Sequence, residues 1–136
     1  MKLSLETEDI TKKHEKRKRR NMESSHQKAA FQWLALQYPK ARAVTFHPAN
    51  GGSRHVKEAR NLKSQGVTAG VSDIICLYPS KDYHGFICEF KYGNNDLSEA
   101  QTRFLENVKN NGYYICVCYS YFDFIEQFKR YMGNSN

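Results

Sequence analysis

Several functional classes are excluded by what this sequence does not contain. No apolar run is long enough to cross a bilayer, so no membrane-spanning helix is expected. The N-terminus reads MKLSLETEDI, with acids where a secretory leader needs an apolar stretch, so no signal peptide is expected. Cysteines number four, Cys76, Cys88, Cys116 and Cys118, and all sit inside apolar runs. None forms a C-x-x-C pair and no histidine pair at ligand spacing accompanies them. That spacing argues against a zinc site and predicts small buried hydrophobes in a reducing cytosol. No internal repeat is visible, and no ribonucleoprotein-type aromatic motif points to an RNA-binding sheet. Acids are also in short supply, 14 Asp and Glu against 21 Lys and Arg, for a net charge of +7. A basic balance predicts a polyanionic partner, nucleic acid ahead of a membrane surface.

What is present fits one folded domain. The chain has 136 residues, of which 40% are hydrophobic and 13% aromatic, enough for a core and too many for wholesale disorder. Positive charge concentrates in residues 1–22, which include the run KKHEKRKRRN. That segment reads as a mobile tail or a frayed helix extension, able to dock on phosphates by charge alone. The folded domain is placed at residues 23–136.

Within the domain, ESSHQKAAFQWLALQY reads as an amphipathic helix over residues 23–38. Ser24 or Ser25 is its expected cap, Ala30, Trp33, Leu34 and Tyr38 its apolar stripe, and Pro39 its end. Glu23 then falls at the first turn, where a carboxylate either complements the helix dipole or reaches a neighbouring metal site. Ala43 to His47 reads as a short strand. HPANGGSRH follows, a glycine-containing loop whose Asn50, Gly51, Gly52 and Arg54, with Lys57 after it, suit either a plain surface turn or close approach to a phosphate backbone. Residues 56–65 read as a short helix. Ser98 with Gln101 three residues on forms a capping box for a helix carrying Phe104, Leu105 and Val108 and ending at Gly112. Tyr113 to Tyr119 is a buried strand, and Phe122 to Met132 a closing helix with Phe124, Ile125, Phe128 and Tyr131 inward.

The segment from Gly70 to Gly93 carries the chemistry. Two apolar runs, Ile74 to Tyr78 and Phe86 to Cys88, read as adjacent strands joined by a polar turn. Asp73 stands at the mouth of the first, Glu89 and Lys91 at the end of the second. Side chains two apart share a face, so Glu89 and Lys91 point one way while Cys88 and Phe90 point the other. Antiparallel pairing around the turn sets Asp73 beside Glu89. Two carboxylates and an ammonium there are costly unless a metal or a substrate anion uses them.

The element order, with D…ExK across the central strands, resembles the PD-(D/E)XK nucleases, and within them the VRR-NUC (virus-type replication-repair nuclease) branch. The pieces that carry the resemblance are ESSHQKAAFQW, ANGGSR, QGVTAGVSD, ICEFK, LSEAQ and NGYYICVC, in that order between Glu23 and about Met132. The resemblance implies an α/β, restriction-endonuclease-like fold, a mixed central sheet flanked by helices. It implies a Mg²⁺- or Mn²⁺-dependent endonuclease acting on DNA, selective for branched structures such as Holliday junctions, working as a homodimer in the cytoplasm of a bacterial or phage-infected cell. Carried over by position, Asp73 and Glu89 are metal ligands, with the backbone carbonyl of Phe90 as a further one. Lys91 is the catalytic lysine, Glu23 the helix carboxylate and Gln101 the motif glutamine. Flap- or restriction-type cleavage and a catalytically silent DNA-binding module are the alternatives. Ser72 replaces the usual proline before the aspartate, and His26 stands where many relatives have an acid or amide.

Overall fold

The structure, a computed structural model, describes residues 2–49 and 56–133, with side chains from residue 6 onward. The first helix, α1, spans Lys2–Gln37 rather than starting at the serine pair. Glutamate, lysine and arginine dominate its first half, all strong helix formers, and Asp9 meets Lys13 at 3.4 Å one turn on. Ser24 and Ser25 are therefore interior residues, and Glu23 lies mid-helix, too far from the N-terminus for the dipole reading to apply. Tyr38 leaves helical geometry at φ −136°, and Pro39 then opens a single further turn, α2 (Pro39–Arg42), where its missing N–H costs nothing.

Four strands follow in spatial order β1 (Thr45–Phe46), β2 (Ile74–Cys76), β3 (Phe86–Phe90) and β4 (Tyr114–Cys118). β1–β2 and β2–β3 pair antiparallel, and β3–β4 pair parallel. The parallel step needs a crossover, supplied by α4 (Glu99–Asn110). α3 (Val56–Ser64) precedes β2, and α5 (Tyr121–Tyr131) closes the chain.

One face of the sheet presents Ile74, Cys76, Phe86, Cys88, Phe90, Cys116 and Cys118 to Ala30 and Leu34 of α1 and to Phe124, Phe128 and Tyr131 of α5. Phe86 is the hub, with ring centroids 5.1 Å from Phe128 and 5.6 Å from Phe124. On the other face Ile75 and Ile87 look toward Phe104 and Val108 of α4. Helices on both sides leave every residue of β3 buried, including its one charged residue. The site inherits its burial from this arrangement.

Both late helices are capped as their sequences require. Ser98 Oγ accepts the Gln101 N–H while Gln101 Oε1 accepts the Ser98 N–H, and Ser120 Oγ accepts from Asp123. His26 adds a cap from a distance: its Nδ1 accepts the Tyr121 N–H at 3.0 Å, tying α1 to the start of α5.

Gly70 fixes how the β2 entry meets α4. Its φ is +81°, and a Cβ there would sit 2.3 Å from the Ala100 carbonyl carbon and 2.7 Å from the Gln101 nitrogen. Backbone cannot yield as a side chain does. Gly70→Ala is expected to cost at least ~2 kcal/mol, from strain at positive φ and a clash with the α4 first turn. Urea unfolding measures it, and an unchanged midpoint would refute the tight contact.

Candidate metal and catalytic site

The register of β2 against β3 decides where the acids go. Ile74 pairs with Cys88, so one step further Asp73 stands across from Glu89. Asp73 has left the ladder, yet its side chain continues the pairing: Oδ2 accepts the Phe90 N–H at 2.8 Å. Its own carbonyl lies 2.6 Å from His47 Nδ1. A carbonyl only accepts, so that ring nitrogen carries the proton.

Glu89 is 4% exposed. Its Oε1 accepts from Gln101 Nε2 at 3.1 Å, while Oε2 is buried and, among the described residues, has no hydrogen-bond partner. Burial pushes the Glu89 carboxyl up to about 8, the Asp73 carboxylate adds to the rise, and Lys91 opposes it. Gln101 thus has two tasks at once. Its amide oxygen caps α4 and its amide nitrogen holds Glu89, which also settles the orientation of the amide.

Lys91 is half-buried, and its N–H bonds the Cys118 carbonyl at 2.9 Å, extending the parallel ladder one residue. Among the described residues its ammonium forms no ion pair within 4.0 Å, though its field lowers both Glu23 and Glu89. Glu23 reaches in from α1. Its Oε1 accepts the Tyr92 N–H at 3.1 Å, and desolvation raises its carboxyl against the pull of Lys91. Glu23 does not join Asp73 and Glu89 as a set of three ligand atoms within 4.8 Å of one another. Its direct contact is with the segment after Lys91.

Asp73, Glu89, Lys91 and Gln101 therefore converge, with Glu23 at their edge. Phe90 lies between the charged pair, its ring in the core and its N–H on Asp73. Asn50, Gly51, Gly52 and Arg54 lie outside the described residues, and Lys57 is exposed on the first turn of α3. His47 and the Tyr92 N–H are site contacts that no sequence spacing announced. Ser72 is 1% exposed and its Oγ has no hydrogen-bond partner among the described residues, a polar atom that a proline would not have brought.

A buried carboxylate with one oxygen unpartnered, facing a second carboxylate, is unfavourable in isolation. A proton or a cation relieves it. The donors are hard oxygens, which suit Mg²⁺, Mn²⁺ or Ca²⁺. On the opposite face of the same strands lies a soft set: the sulfurs of Cys88, Cys116 and Cys118, all buried and within 4.8 Å of one another. All four cysteines are buried, as expected, but this convergence comes from the β3–β4 register, which pairs Cys88 with Cys116. Spacing along the chain does not encode it.

The VRR-NUC domain model matches residues 11–122, more than half of the chain. Among solved structures, one described as a VRR_NUC domain protein is similar at a TM-score of 0.72 and 25% identity, covering 85% of this chain and 91% of that one. No curated protein matches the sequence.

The Glu89 environment makes metal-free stability depend on pH. The carboxyl titrates near the ordinary glutamate value of 4.5 when unfolded and is pushed up to about 8 when folded, so folding takes up a proton between those values. The contribution is fully present below about pH 4.5 and is lost as pH rises toward 8. Glu89→Gln is expected to flatten this dependence and to exceed the parent at pH 8 by ~2–4 kcal/mol in chelator. Chelated parent protein equally stable at pH 5 and 8 would contradict the buried, unpaired carboxylate.

Proposed function

The chain belongs to the VRR-NUC family of nucleases, and on that premise we propose that it is a Mg²⁺- or Mn²⁺-dependent DNA endonuclease. The observation that carries this reading is the unpartnered Oε2 of Glu89, buried beside Asp73 with the Lys91 side chain on the same face. Asp73 and Glu89 would hold the ion, with the Phe90 carbonyl as a further ligand. When bound, a divalent cation supplies neutralisation of the charge that builds on the phosphoryl oxygens and a more acidic water.

The protein's own groups do the rest. The Phe90 N–H and the Gln101 amide each fix one carboxylate oxygen, so the acids meet their ligand already oriented. Lys91 brings a positive charge to the scissile phosphate and orients the attacking water. Glu23 holds the chain just after Lys91 through the Tyr92 N–H, and so sets where the ammonium projects. Residues 50–57, through Asn50, Gly51, Gly52, Arg54 and Lys57, are read as contacts to the phosphate backbone beyond the cut. Selectivity for branched DNA such as a four-way junction is part of the proposal, with a two-fold homodimer placing paired cuts.

Purified protein with Mg²⁺ or Mn²⁺ and a panel of four-way, flapped and linear duplexes tests the reading. Asp73→Asn and Glu89→Gln should each lower cleavage by at least ~100-fold while DNA affinity stays within a few fold. Lys91→Ala should lose cleavage and keep its Mn²⁺ affinity by calorimetry. Gln101→Leu, which removes the support of Glu89, should cost ~10- to 100-fold. A parent protein that binds DNA but never cuts it would instead make this a binding module, and equal rates on all substrates would remove the branched-DNA preference.

A further inference from the structure

The first half of α1 has no core to serve. Residues 6–18 are all exposed, and the helix begins to touch the body only near Arg19 and Glu23. Within Lys12–Arg20 seven of nine residues are Lys or Arg, with Glu15 the one acid. Like charges stand one turn apart at Lys12 and Lys16, Lys13 and Arg17, and Lys16 and Arg20, each pair unfavourable by about 0.2–0.5 kcal/mol. Among the described residues no packing against the body offsets this repulsion, Asp9 neutralises only Lys13, and an anionic partner relieves the rest.

The charges are also aligned. Lys12, Lys16, Arg19 and Glu23 recur at spacings of four, three and four, which puts them on one helical face. Lys13, Arg17 and Arg20 form the adjoining row. The far side carries Thr11, His14, Lys18 and Asn21. The basic face thus runs in line from the carboxylate that borders the site, and the charge of Arg19 reaches Glu23 itself. From Lys12 to Glu23 the helix rises ~16 Å, the axial span of about five phosphates on one DNA strand.

We propose that this face of α1 is a phosphate track: it holds the backbone of the DNA arm that leaves the catalytic site, and reads no bases. The inference rests on the DNA-cleaving function proposed above and adds the path of the substrate beyond the cut. A membrane surface fits poorly. Between residues 6 and 22 only Ile10 and Met22 are large apolar residues, and an interfacial helix needs a continuous apolar face.

The test is the salt dependence of binding, measured in an Asp73→Asn background so that the DNA stays intact. Lys12→Gln/Lys16→Gln/Arg19→Gln should reduce the slope of log affinity against log salt by ~2.7 and weaken binding at least ~10-fold at 0.1 M salt. The charge-preserving Lys12→Arg/Lys16→Arg should keep the full slope, which separates charge from any loss of helix. Lys129→Gln, on α5, should change neither quantity. Trimming the flanking duplex to a few base pairs should erase the difference between parent and triple variant. If the parent binds and cuts DNA while the triple variant keeps its slope, the track is refuted and the nuclease reading stands. If the parent neither binds nor cuts DNA, both fall.

Discussion

One register governs this molecule: β2 against β3, antiparallel, with Ile74 opposite Cys88. A slip of one residue would send Asp73 and Glu89 to opposite faces of the sheet. The register is held on both faces, by the Phe86-centred aromatic core on one and by the α4 contact on the other. The hydrogen bond from the Phe90 N–H to Asp73 Oδ2 then extends the pairing past the strand end using a side chain. The apolar packing of the strands is what holds two acids together that would otherwise repel.

Two helices complete that arrangement from opposite sides. α4 spends the side chain of its N3 residue twice, as cap and as support for Glu89. α1 contributes Glu23, whose bond to Tyr92 anchors the backbone beside Lys91. Neither contact is large in energy, since a single hydrogen bond to a charged group contributes about 1.5–3 kcal/mol. Their effect is directional. They leave Glu89 one unpartnered oxygen and hold in place the strand end that carries the ammonium.

Much of this was legible in the sequence because strands and caps obey short-range rules. Alternation placed Glu89 and Lys91 on one face, antiparallel counting placed Asp73 beside Glu89, and Ser98 with Gln101 announced α4. The apolar stripes of α1 and α5 met in the core as their periodicity required. The start of α1 was not legible. Ser24 and Ser25 are good caps, but the run of Glu, Lys and Arg before them favours helix, and the chain does not stop to use the cap. The three-sulfur cluster, the Gln101–Glu89 bond and the His47 contact join residues distant in sequence or in different elements, so no local pattern revealed them. His26, at a position where the resemblance implied an acid or amide, caps α5.

That last contact spans ninety-five residues. Ala30 and Leu34 share their apolar cover between the sheet and Phe124 and Phe128 of α5, and the Lys91 N–H finds its carbonyl partner only in Cys118. The burial of α1 and the strand end that carries Lys91 are therefore complete only once the last strand and the closing helix have joined the rest of the chain.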